Sequence, residues 1–129
     1  MSGRFLLDTN IVIALLGEDI AVTQSLGDAR EVFLSSIVLG ELHYGARNSA
    51  RVVENLAVIE NMRAANVVLP CDATTSEHYG QIKAELRLAG TPIPENDIWI
   101  AALARQHELT LVSRDAHFAN VSGISVEAW

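Results

Sequence analysis

Apolar residues fall in short runs along this chain, each closed by a polar or turn-forming cluster, and two periods alternate. Residues 4–7 read as a short buried strand. Asp8-Thr9-Asn10 ends it and caps a helix over Ile11 to Leu16, which breaks at Gly17-Glu18-Asp19. Residues 20–29 suit a second short helix and 32–35 another buried strand. Ser36 stands as the cap of a helix over 37–46. Across 50–66, Val52, Leu56, Ile59 and Met62 share one helical face. Val67-Val68-Leu69 is a third strand, ended by Pro70. Thr74-Thr75-Ser76-Glu77 carries a capping-box pattern, and Tyr79, Ile82, Leu86 and Ala89 continue it as an amphipathic helix up to Gly90. After the rigid Thr91-Pro92-Ile93-Pro94, Glu95-Asn96-Asp97 opens a helix over 98–104. Residues 109–113 read as a central strand and 124–127 as a final one.

Short apolar strands alternating with helices predict an α/β fold of three layers, a mainly parallel sheet of four to five strands covered on both faces. No repeat or linker divides the chain, so residues 1–129 form a single domain. In such a sheet the strands all end at one edge, and the following helices begin there. Four acids sit in or beside apolar runs at those positions. Asp8 and Asp115 follow strands, whereas Glu41 and Asp97 lie in early helical turns. The fold therefore brings them toward one crevice.

Gathering them is costly. Two like charges about 4 Å apart repel by roughly 4 kcal/mol at an effective dielectric near 20, against a domain stability of about 5–15 kcal/mol. Either an acid is pushed to a raised pKa or a cation joins the cluster. Mg²⁺ and Mn²⁺ prefer such oxygen ligands. A carboxylate-held ion suits phosphodiester hydrolysis by an activated water. The same four acids also fit a lectin-like or regulatory cation site.

Composition narrows the setting. Half the residues are apolar and 19% are charged, which excludes a disordered chain. The single cysteine, Cys71, excludes an intrachain disulfide and a thiolate metal cage, and reads as a small buried hydrophobe. The net charge of −7 argues against non-specific wrapping of nucleic acid, although bound divalent cations would reverse the local sign at the acids. Met1-Ser2-Gly3-Arg4 leads into only three apolar residues before Asp8, and no apolar run approaches a membrane span, so a cytoplasmic protein without membrane attachment is expected.

These residues resemble the PIN domain family and, within it, the VapC-type toxins of bacterial toxin–antitoxin pairs. Phe5-Leu6-Leu7-Asp8-Thr9-Asn10 looks like the family's opening motif, and Ser36 to Leu42 with Tyr44-Gly45-Ala46 like its second. Asn96-Asp97-Ile98-Trp99-Ile100-Ala101-Ala102 is similar to the third, and Val112-Ser113-Arg114-Asp115 with His117-Phe118 to the last. Leu39 stands where the family often has a hydroxyl residue, and Asp115 where it often has Asn. The resemblance implies a PIN-like fold and a Mg²⁺- or Mn²⁺-dependent endoribonuclease. Asp8, Glu41, Asp97 and Asp115 would be its catalytic metal ligands, with Thr9, Asn10 and Ser113 as polar supports. It also implies a homodimer and a cognate VapB-type antitoxin whose C-terminal segment blocks the acidic pocket. The alternative is a non-catalytic module of the same fold that binds a cation and a partner. A phosphoaspartate receiver is disfavoured, because the chain's only lysine, Lys83, lies within a helix.

Among the cations, Arg114 adjoins Asp115 and is the foremost candidate substrate contact. Lys83 and Arg87, four apart on one helix face, are candidates for RNA phosphates against the plainer reading of a solvated face. His117 reads as structural, with a proton shuttle as the alternative. Trp99 belongs to the core or a dimer surface.

Overall fold

The computed structural model describes residues 3–129. Phe5, Leu6 and Leu7 are buried, as expected of a strand covered on both faces; they belong to β1 (Arg4–Leu7). The helices α1 (Thr9–Leu16) and α2 (Ile20–Asp28) then lead to β2 (Glu31–Ser35). α3 (Ser36–Arg47) and α4 (Val52–Ala65) lead to β3 (Val67–Leu69), and α5 (Ala73–Ala89) and α6 (Glu95–His107) lead to β4 (Thr110–Val112). A 3₁₀ turn, Ala116–Asn120, separates β4 from β5 (Ser125–Glu127).

The five strands form one sheet in the order β3-β2-β1-β4-β5, and every neighbouring pair is parallel. Leu6 on β1 lies opposite Phe33 on β2 and Leu111 on β4. From β1 the chain steps outward through β2 to β3, then returns past β1 to β4. Right-handed crossovers place α1 to α4 on one face and α5 with α6 on the other, giving the expected three layers. The direction of winding reverses between β1 and β4, so the crevice of the sheet opens beyond the C-terminal ends of these two strands.

The core is built from Leu6 and Leu111 in the sheet, Ile11, Val12 and Val38 from one helical layer, and Ile82, Ile100 and Leu103 from the other, all fully buried. Burial of each stabilises by about 1.5–3 kcal/mol. Among the described residues no helix is long and apolar enough to cross a membrane.

The starts of α3 and α5 differ from expectation because an earlier side chain reaches the free amides first. Ser35, the last residue of β2, caps α3 by accepting from the Val38 amide at 3.0 Å, so Ser36 is already helical. Asp72 caps α5, accepting from the Thr75 amide at 3.0 Å while the Thr75 hydroxyl accepts from the Asp72 amide at 2.9 Å. This reciprocal pair takes the place expected for Thr74 and Glu77. α6 begins at Glu95, after Pro94, and puts Glu95 and Asp97 in its first turn, where the helix dipole favours anions. Its C-terminal end extends to His107, three residues past the expected one.

Candidate active site

β1 and β4 position the first acid. The Asp8 amide donates to the Val112 carbonyl at 2.9 Å, extending their pairing by one residue, and the carboxylate then caps α1. Its Oδ1 accepts from the Thr9 amide at 2.8 Å and its Oδ2 from the Ser113 hydroxyl at 2.7 Å. Asp8 is only 3% exposed. Ser113 is equally enclosed and ties the cluster together: its oxygen also accepts from the Asp115 amide at 3.0 Å and from the Asn10 side-chain amide at 3.3 Å. Asn10 Nδ2 is also 3.3 Å from Asp115 Oδ2 and 3.4 Å from Asp8 Oδ2, and its oxygen accepts from the Arg114 amide. Thr9 and Asn10 are thus more than helix-starting residues. They bridge acids that lie far apart in sequence.

Glu41 enters from the second turn of α3, where its Oε1 accepts from the Thr9 hydroxyl at 3.0 Å. Asp97 enters from the first turn of α6, and its Oδ2 lies 2.8 Å from His117 Nε2, a close approach that falls short of an aligned hydrogen bond. Asp97, Asp115 and His117 each offer one donor atom to a group within 4.8 Å of one another. All four acids line one cavity of about 550 Å³ beyond the strand ends.

The electrostatics match this crowding. Burial pushes the Asp8 carboxyl above its ordinary value and the Asp115 charge adds to the rise, outweighing the hydrogen bonds from Ser113 and Thr9. The Asp97 carboxyl is also raised, first by burial and then by the Asp8 and Glu41 charges, with His117 pulling it back. Neutral donors and one imidazole are the recorded partners of these four carboxylates; no arginine or lysine side chain pairs with them among the described residues. An oxygen-rich donor set with uncompensated negative charge fits a hard divalent cation.

Residues 5–124 match the model of the PIN domain. The chain belongs to the PIN domain family. Among its relatives, the Haemophilus influenzae protein named Ribonuclease VapC2 is 38% identical over 129 residues and 98% of each chain. The Shigella flexneri protein named tRNA(fMet)-specific endonuclease VapC is 37% identical over the same shares. A chain in the crystal structure of DNA-bound VapBC from Salmonella typhimurium superposes with a TM-score of 0.91 at 34% identity, covering 100% of this chain and 99% of that one.

This PIN domain brings together Asp8, Glu41, Asp97 and Asp115, and with them Thr9, Asn10 and Ser113. The cations named from sequence are placed differently. The Arg114 guanidinium is engaged elsewhere, donating to the Trp129 carbonyl at 2.7 Å and pairing with Asp19 at 3.1 Å; only its backbone amide serves the cluster. Lys83 pairs with Glu95 and with the Tyr79 hydroxyl. Arg87 joins Lys83 on the wall of a neighbouring, mostly apolar cavity of about 370 Å³. Trp99 stacks on Tyr79, ring centroids 4.1 Å apart, and is half-buried. The 3₁₀ turn delivers His117 to Asp97, a position that suits either the structural or the proton-shuttle reading. Its spacing of two residues from Asp115 was the one signal in the sequence for this.

Proposed function

We propose that this PIN domain is a Mg²⁺- or Mn²⁺-dependent endoribonuclease, the toxin of a VapBC-type pair that acts in the cytoplasm as a homodimer and is held in check by a cognate VapB-type antitoxin. The observation that carries the reading is the convergence of four carboxylates, two of them raised in pKa, at the switch point of the sheet. The names of its full-length relatives support the substrate class, and the VapBC complexes support the partner.

Asp8, Glu41, Asp97 and Asp115 would hold the cation. When bound, such an ion lowers the pKa of water and neutralises charge developing on the phosphodiester. The chain's own residues fix the geometry. Ser113 and the Thr9 amide lock the Asp8 carboxylate, the Thr9 hydroxyl orients Glu41, and His117 Nε2 faces Asp97 Oδ2. Such outer partners are typically worth about 10–100-fold in affinity or activity. In the hydrolysis, water oxygen adds to phosphorus and gives up a proton, while the bond to the leaving ribose oxygen breaks and that oxygen takes up a proton.

Ile13, Leu16 and Val58 are exposed apolar side chains lining a cleft of about 220 Å³ that shares Glu41 with the acids. An antitoxin segment laid there would cover apolar surface and reach the carboxylates together. The test is to map new 5′ ends in RNA incubated with the protein and Mn²⁺. Discrete cuts that disappear in Asp8→Asn are expected; intact RNA, or equal cutting by Asp8→Asn, overturns the assignment.

A further inference from the structure

The acid cavity has a second lobe that the carboxylates do not fill. A space of about 530 Å³ shares Thr9, Glu41 and Asn96 with it, and continues along α3 past Ile37 and Gly40 to Tyr44. Its chemistry is different. The acid lobe is lined by Asp8, Glu41, Glu95, Asp97 and Asp115, whereas Glu41 is the only carboxylate lining this one.

Tyr44 stands 74% exposed at its rim, and neither its ring nor its hydroxyl has a partner among the described residues. Long side chains on a helix lean back over the preceding turn, which for Tyr44 means over Gly40 and Glu41. Gly40 leaves that turn low: a Cβ there would meet nothing within 4 Å. An aromatic face therefore borders an open slot, one helical turn from a site carboxylate. Asn96 also lines the slot, on the wall shared with the acid lobe; it is exposed, and its side-chain amide has no partner among the described residues.

A ring face and a solvent-exposed side-chain amide on the walls of one slot suit a flat, neutral, hydrogen-bonding heterocycle, and aromatic side chains bind unpaired bases in this manner. We propose that this lobe is a nucleobase subsite, in which the base of the nucleotide adjoining the scissile phosphodiester stacks on Tyr44 and turns its hydrogen-bonding edge to Asn96. The inference rests on the ribonuclease reading for the position of that phosphodiester. Such a base must be unstacked from its neighbours, so the substrate is a single strand or loop.

The test uses the full chain, as wild type, Tyr44→Ala and Tyr44→Phe, with fluorescein-labelled RNA hairpins of randomised loop sequence, intact or abasic at one loop position in turn. Binding is read by anisotropy in Ca²⁺ and cleavage by kinetics in Mn²⁺. Tyr44→Ala is expected to raise Kd and KM by about tenfold with kcat retained, and Tyr44→Phe to keep wild-type values. One abasic position should cost wild type the same factor and Tyr44→Ala nothing further. Unchanged binding by Tyr44→Ala, equal losses in both variants, or abasic losses that add to that of Tyr44→Ala overturn the subsite, even while cleavage upholds the ribonuclease reading. Tyr44-dependent binding without cleavage by any form sinks the ribonuclease reading and leaves the subsite standing. A wild type that binds none of the hairpins overturns both.

Discussion

Along α4, Glu54 and Glu60 each sit three residues from an arginine, Arg51 and Arg63, at 2.8 and 2.6 Å, and all four side chains are open to solvent. At the ends of β1 and β4, Asp8, Glu41, Asp97 and Asp115 are gathered with no such partner. Arg63 holds the Glu60 carboxyl below its ordinary value, whereas Asp8 and Asp97 are pushed up. The same functional group is neutralised locally on the helix and left strained at the sheet edge. Exposed pairs contribute little to stability, and a cluster of acids gathered around the buried Asp8 works against it. Folding therefore explains neither arrangement fully: the α4 pairs suit a solvated surface, and the cluster suits a cation from outside the chain.

This contrast breaks most sharply at the ligands. Asp8→Asn or Asp97→Asn should lower Mn²⁺-dependent RNA cleavage by more than the roughly 10–100-fold typical of outer-shell partners, measured under single-turnover conditions. Ser113→Ala removes the hydroxyl that holds Asp8 Oδ2 and serves Asn10 and Asp115. It should cost about 10–100-fold in cleavage or metal affinity, with circular dichroism confirming that the variant folds.

The next effect is on stability. A carboxyl whose pKa is raised by folding binds its proton more tightly in the native state, so its ionisation destabilises the fold as pH rises. For metal-free protein, the advantage of Asp8→Asn over wild type should be absent below the ordinary value of 3.8, grow as pH climbs toward the raised value, and stay constant above it. Urea titrations across pH would read this; a difference that shrinks as pH rises would contradict the assignment. The smallest effect belongs to α4, where Arg63→Ala should leave both melting temperature and cleavage unchanged within error. A large loss there would mean that the exposed pair on α4 carries structure after all.

How much of this was legible in the sequence follows from how each contact is made. The four acids stand out because each interrupts an apolar run or flanks one, and alternation of strands and helices sends all such positions to one edge. The network among them was legible only in outline. Thr9, Asn10 and Ser113 lie within two residues of an acid in the chain, yet the Ser113 to Asp8 bond spans 105 positions and depends on β1 pairing with β4. The strand order was hidden for the same reason, since periodicity shows that a strand is buried but not beside which neighbour. His117 belongs to neither period. A five-residue 3₁₀ turn returns it to Asp97, and its place two residues after Asp115 is the sole hint of that in the sequence. Arg114 adjoins Asp115 in sequence, while its guanidinium is engaged by Asp19 and the Trp129 carbonyl, contacts that sequence proximity does not show. Caps slipped by one or two residues because Ser35 and Asp72 compete with Ser36 and Thr74 for the same amides.

The account's central claim is that these acids are kept for a divalent cation, and thermal melting with and without Mn²⁺ tests it most directly. Ligand binding to the native state alone must raise the melting temperature. Metal-free Asp8→Asn should melt above metal-free wild type at neutral pH, and Mn²⁺ should raise wild type while leaving Asp8→Asn nearly unmoved. A wild type indifferent to Mn²⁺, or an Asp8→Asn variant stabilised as much as wild type, would contradict the claim.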